Sequence, residues 1–359
     1  MGFAEGEPSA KAWKGAGEAE GRELLMEQCQ IDALECRRPH VLLLGAGASV
    51  AAFPDGERNG RMLPIMANLI STLQMEEMLD GIGVNWRGRN FETVYSELHE
   101  GGHHTELLTK IEGLVREYFT LMALPDTPTL YDRLVLSLRP KDVIATFNWD
   151  PFLFDACVRN QRVVGKKLPH ILFLHGNVRL GHCPEHPRGG ALNGTCRECG
   201  QRYVPSRLIF PVSRKNYNDH PFLAAAWRDL KRALETAYLF TIFGYGAPNS
   251  DVEALDLMRD AWGPAPDRVY EQIEIIDVKN HDELAATWQD FIYSHHWGEL
   301  TEFAHSLAAR YPRRTCEGFW AMSMELNIWD NFPMPATGTI ESLHEWCAPL
   351  MTAESKKTR

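Results

Sequence analysis

Short, mainly apolar runs alternate with longer amphipathic ones along this chain. His40–Leu44 (HVLLL) is mainly apolar and runs straight into Gly-Ala-Gly. A run without polar alternation predicts a strand covered on both faces. Val143–Phe147, Ile171–Leu174, Tyr238–Phe243 and Ile273–Ile276 repeat the pattern. Between them, Pro151–Arg159, Pro221–Thr236 and Asp251–Ala261 are predicted as helices. Residues 61–138 read as a mostly helical insert, its apolar spacing of three and four clearest over Leu107–Leu124. Strands alternating with helices give the expected fold class, α/β: a Rossmann-like parallel sheet flanked by helices.

The chain divides into three parts on this reading. Residues 1–39 form an arm (1–20) and a short amphipathic helix, Glu23–Glu35, with Leu24, Leu25, Cys29 and Leu34 on one face. Residues 40–296 form the main domain. Residues 297–359 are aromatic-rich and fall beyond the last predicted strand. Their Trp297, Phe319, Trp320, Trp329, Phe332 and Trp346 suit either a core or an interface. No repeat of fixed period is visible.

Composition narrows the function classes. The 359 residues carry a net charge of -11, which argues against general nucleic-acid binding because polyanions repel acidic surfaces. No apolar run approaches the ~20 residues needed to cross a bilayer, and the charged N-terminus has no secretory apolar stretch. Position 6 is glycine, where a myristoylation signal wants Ser or Thr. The expectation is a cytoplasmic protein with reduced thiols.

The candidate chemistry sits at strand ends. VLLLGAGASV puts Gly45, Ala46, Gly47 and Ser49 where the first strand hands over to the next segment. Glycines there permit a tight turn and close approach of a pyrophosphate to backbone amides. Val50 occupies the place of a third glycine, so by itself the turn reads equally as a plain strand-to-helix corner. ATFNWDPF ends the second strand with Thr146, Asn148 and Asp150. FLHGNV ends the third with His175 and Gly176, and IFGYGAPNSD ends the fourth with Gly244 and Asn249-Ser250-Asp251. Open α/β sheets bind ligands at these carboxyl ends.

Taken as an ordered set over about residues 40–280, the fragments resemble the sirtuin-like family. Its pattern is GAGxS, a Thr-x-Asn-x-Asp strand end, a His-Gly strand end and a Gly-rich turn near Ser/Asp. The resemblance implies an NAD site. Gly45, Ala46, Gly47, Ser49 and Thr146 would lie along the cofactor, with Gly244 and the Asn249-Ser250-Asp251 stretch on the adenosine side. The chain departs from the protein-deacetylating branch. It lacks the Gly-Ile-Pro-Asp-Phe-Arg segment, and Phe147 and Trp149 flank Asn148 where that branch has Gln-Asn-Ile-Asp. Both departures resemble the bacterial sirtuin-like proteins of anti-phage defence, which hydrolyse NAD. The long insert and NFETVYSEL (90–98) fit that branch as well.

NAD hydrolysis needs an oriented ribose, a polar group on its hydroxyls, and a base. His175 suits the base, since imidazole titrates near working pH. Asn148 suits the ribose or the attacking water, because an amide donates and accepts. Asp150 either orients Asn148, stabilises developing positive charge, or merely opens a helix before Pro151. Asp277 ends the fifth strand, where acidic groups often bond a ribose hydroxyl, though a surface carboxylate reads equally well. The resemblance implies that the adenosine end lies here, near Asp277 and Asn280.

The segment 182–203 holds Cys183, His186, Cys196 and Cys199, spaced C-x2-H, nine residues, C-x2-C. Paired ligands at that spacing suit a closed tetrahedral zinc site, with His182 an alternative fourth ligand and a redox CxxC the competing reading. Family resemblance places a zinc module on this same connection. The expected function is an NAD glycohydrolase under control of assembly into a homo-oligomer or of a co-encoded partner such as a nucleotide-driven ATPase or nucleic-acid sensor. An NAD-dependent protein deacylase and a non-catalytic nucleotide-binding subunit are the alternatives.

Overall fold

The computed structural model describes residues 37–212, 217 and 221–357. The predicted arm and the Glu23–Glu35 helix lie outside the described residues. Six parallel strands form the main sheet: β1 (His40–Leu44), β2 (Val143–Thr146), β3 (His170–Phe173), β7 (Leu239–Phe243), β8 (Gln272–Ile276) and β9 (Trp297–Leu300), in the order β3-β2-β1-β7-β8-β9. The smaller strands β4 (Leu180–His182), β5 (Gly189–Ala191) and β6 (Val204–Pro205) make an antiparallel sheet in the order β5-β4-β6.

The main order runs outward in one direction through the first three strands and then restarts beside β1. That is the doubly wound Rossmann order, and its switch point lies between β1 and β7. Alternate residues of β1 show the two-faced burial that its composition predicts. Leu42 and Leu44 enter one core with the helices of the 69–137 insert. Val41 and Leu43 enter the other with Leu223, Trp227, Leu230 and Leu234 of the helix Pro221–Thr236. Each inward residue excludes water from one side of the sheet, the dominant stabilising term.

The insert is helical in pieces: Leu69–Thr72, Glu76–Asp80, Phe91–Gly101, Thr105–Thr120 and Leu130–Ser137. Ile111, Val115 and Phe119, four apart, are the buried stripe of the longest. Residues 61–68 and 81–90 stay irregular, which the apolar periodicity alone did not separate.

One expectation is corrected. Trp297 does not begin a tail beyond the last strand; it opens β9, a sixth parallel strand paired to β8 from Ile273↔Trp297 to Ile276↔Leu300. WGEL is half-exposed at the sheet edge, so it lacks the apolar run that marks the central strands. Beyond it, Phe319 and Trp329 are buried with Tyr238 and Leu307 in a third core, while Trp320 is 42% exposed. Arg313 and Arg314 are buried against Glu354 of the helix Ile340–Lys357. Among the described residues no helix is long and apolar enough to cross a membrane.

Candidate active site and metal centre

The glycine turn is locked onto the neighbouring strand. Gly45 N donates to Phe243 O and Gly47 N to Gly244 O, both at 2.9 Å. Gly244 has φ +61°, and a β-carbon on it would lie 2.3 Å from Ala48 N; one on Gly45 would lie 2.4 Å from Gly244 O. The glycines are therefore required by close backbone packing at the switch point. This corrects part of the sequence expectation. The Gly45 and Gly47 amides, and that of Ala48, which donates to Gly45 O at 3.1 Å, are committed inside the protein rather than offered to an anion.

A cavity of about 620 Å³ opens over this turn. Gly45, Ala46, Gly47, Ser49, Asn148, Asp150, His175, Gly244, Ser250 and Asp277 all line it. Thr146 and Asn280 do not. Thr146 is buried, and its hydroxyl accepts the Asn148 amide at 3.0 Å, so it shapes the strand end from below. Asn280 caps the helix His281–Trp288 in a capping box with Glu283, a role its side chain cannot share with a distant ribose.

The floor is one hydrogen-bonded cluster. Ser49 Oγ donates to Asp150 Oδ2 (2.6 Å) and meets Tyr131 OH (2.6 Å). Asn148 Nδ2 donates to Gly45 O (2.9 Å) and Ser49 Oγ (3.0 Å). Both amide protons of Asn148 are thus committed, leaving its carbonyl oxygen for the cavity. Asp150 also accepts from Phe152 N at 3.2 Å, at the start of the helix Phe152–Val164, whose N-cap position is held by Pro151 rather than by Asp150. Burial pushes Asp150 up to about 6, against the opposing effect of the Ser49 and Phe152 donors. Burial, then the Asp150 charge, drives Tyr131 well above its ordinary range, which keeps it a donor.

His175, after β3, faces a different set. Its Nε2 is 3.1 Å from Tyr217 OH and 3.9 Å from Asp251 Oδ1, and its ring packs edge-on to Phe147 at 4.6 Å. Tyr245 OH donates to the other Asp251 oxygen at 2.9 Å. Asp251 belonged to a stretch that the sequence placed on the adenosine side; the fold gives it to the histidine instead. Tyr131, Tyr217, Tyr245 and Glu92, which accepts Ser250 N at 2.9 Å, were not found by sequence reasoning. Tyr245 sits inside the IFGYGAPNSD fragment and Glu92 inside NFETVYSEL, but nothing in either run singles the side chain out; Tyr131 and Tyr217 lie outside every quoted strand-end motif.

The cysteine cluster forms as spaced. Ligand atoms of Cys183, His186, Cys196 and Cys199 lie within 4.8 Å of one another. Cys183 Sγ is 3.5 Å from both His186 Nδ1 and Cys199 Sγ, and Cys196 Sγ is 3.8 Å from His186 Nδ1. Ligands ~2.0–2.3 Å from a tetrahedral zinc stand roughly that far apart. His186 Nε2 faces Glu198 at 3.5 Å, and Arg188 donates to that carboxylate at 2.7 Å, the outer support that orients a metal-binding imidazole. A set of three thiols and one imidazole with this support fits structural zinc. His182 lies in β4 and is not one of the four.

No family model and no curated protein matches the sequence. Among solved structures the chain is similar to Sir2 proteins. One, from work on the mechanism and regulation of Sir2 enzymes, is 14% identical at a TM-score of 0.37, covering 84% of this chain and 100% of that one. A Sir2 homolog–NAD complex is 13% identical at 0.35, covering 77% and 88%. A Sir2 bound to acetylated peptide is 14% identical at 0.35, covering 80% and 93%.

Proposed function

We propose that this protein is a sirtuin-like NAD hydrolase, cleaving NAD to nicotinamide and ADP-ribose as an anti-phage defence effector in the cytoplasm. Unrestrained loss of NAD would kill the host, so the activity is held until a partner or assembly into a homo-oligomer releases it. The observation that supports the reading best is the cavity at the switch point. Asn148 and Asp150 after β2, His175 after β3 and the glycine turn after β1 share it. Decoration without a ligand has no reason to converge there from three strands.

The residues divide the work by chemistry. The Asn148 carbonyl holds a ribose hydroxyl or the attacking water. Water adds to the ribose carbon as the bond to nicotinamide breaks, nicotinamide leaves neutral, and the proton lost by the water passes to His175. Asp251, beside His175, stabilises the positive charge the imidazole then carries. Asp150 anchors Asn148 through Ser49.

The test is incubation of the pure protein with NAD, across protein concentration and with any co-encoded partner, with and without an acetylated peptide. Free nicotinamide and ADP-ribose without peptide supports the hydrolase. Release only with peptide supports a deacylase. Absence of cleavage under every condition leaves a nucleotide-binding subunit and refutes the proposal.

A further inference from the structure

The charge lining the cavity is lopsided. Glu92, Asp150, Asp251 and Asp277 contribute four carboxyl groups, while Lys279 is the one lysine or arginine among the described lining residues. Lys279 follows β8, beyond Asp277, whose Oδ1 accepts the Lys279 amide at 3.1 Å and so fixes the turn that presents it. Its Nζ lies over the second glycine turn: a β-carbon added to Gly246 would stand 3.7 Å from it. No carboxylate pairs with it among the described residues.

A dinucleotide brings a doubly charged diphosphate into this acidic surround. The usual remedy is a ring of free amides at the glycine turn. Here the Gly45 and Gly47 amides are bonded to Phe243 and Gly244 at and just past the end of β7, so that remedy is reduced. Repulsion between a diphosphate and nearby carboxylates must be offset by a cation, and Lys279 is the described side chain placed to supply it. We infer that Lys279 is a specificity-determining residue of this site: its ammonium holds the diphosphate of the bound nucleotide, selecting diphosphate-bearing ligands over free nucleosides. The inference rests on the NAD-site reading above and names the contact that reading lacks.

Lys279 touches the part of the ligand that does not react. Its loss therefore weakens ground state and transition state alike, raising KM with little change in kcat. The experiment is calorimetry with ADP-ribose as probe on wild type, Lys279→Ala and Lys279→Arg, each at low and high salt. Lys279→Ala is expected to bind roughly tenfold more weakly. The gap should narrow as salt screens the charge, and Lys279→Arg should recover most of the affinity. Lys279 is exposed, so these variants are expected to fold, and circular dichroism checks that. Wild type and Lys279→Ala binding ADP-ribose equally at both salts would overturn the inference and leave the NAD site standing. Failure of wild type to bind ADP-ribose at all would overturn both.

Discussion

Nε2 of His175 stands 3.9 Å from Oδ1 of Asp251, although the two lie in segments that follow strands on opposite sides of β1, β3 and β7. The relationship closes the cavity across the switch point and gives the imidazole a carboxylate. Tyr245 holds the other oxygen of that carboxylate, so its direction is set. Replacing Asp251 by Asn keeps the Tyr245 contact and removes the charge. Turnover is expected to fall, by less than for loss of the histidine.

His175→Ala is expected to reduce NAD cleavage by about 10²–10⁴-fold, the range a general acid–base group supplies. His175 packs against Phe147 and Tyr217, so some stability is lost as well. Nicotinamide release by chromatography and folding by circular dichroism are measured together. Near-normal turnover in a folded variant removes His175 from the mechanism.

Asn148→Ala separates an enzyme from a binding subunit. Its carbonyl is expected to act during bond breaking, so turnover falls far more than NAD affinity. Calorimetry and nicotinamide release on the active form read the two. Equal losses in both would assign Asn148 to binding alone.

Cys196→Ser should lower bound zinc and loosen the 183–199 loop, because a closed tetrahedral site needs all four ligands. Elemental analysis and limited proteolysis check it. Native protein free of zinc would rule the metal out and leave the redox reading of Cys196 and Cys199.

Gly244→Ala tests the interlocked turns. The new methyl would meet Ala48 N at 2.3 Å in a backbone held at φ +61°. A loss of at least ~2 kcal/mol in denaturant unfolding is expected, from strain and displacement of the glycine turn together. Wild-type stability in the variant would show that the turn yields easily.

Glu274 carries a pH-dependent cost. Buried in β8, it accepts Leu307 N (2.9 Å) and Thr241 Oγ1 (3.0 Å), and burial pushes it up from 4.5 to about 7. The folded chain keeps a proton that the unfolded chain sheds in that window, so this group's contribution to stability falls as pH rises from 4.5 to about 7. His40, lowered to about 4 by burial, works in the opposite sense between about 4 and 6.5. The comparison is therefore wild type against Glu274→Gln. The variant should gain on wild type as pH rises, by at most roughly 3 kcal/mol. A stability difference that does not change with pH would contradict this.

What the sequence determined by itself was the alternation. The five apolar runs became strands within a residue or two of their predicted ends, because a segment packed between two layers must be mainly apolar. β3, at the sheet edge, is the least covered of them, and β8 holds Glu274 through hydrogen bonds to Leu307 N and Thr241 Oγ1. The zinc ligands were equally legible, since C-x2-H and C-x2-C are local spacings that any fold of the segment respects. The strand-end positions of Gly45, Asn148, His175 and Gly244 followed from the same runs. Tertiary structure alone decided the rest. β9 is an edge strand whose half-exposed WGEL carries no periodic signal; only its pairing with β8 makes it a strand. The family resemblance put Asn280 near the adenosine end, yet the helix beginning at His281 takes its side chain as a cap. Asp251 reached His175 and Lys279 reached the cavity because the winding of the sheet brings the segments after their strands together, and Tyr131 reached Ser49 because the helix Leu130–Ser137 carries it there. Contacts between residues a hundred positions apart depend on which strands become neighbours, and strand order is set by packing of the whole sheet rather than by any local pattern.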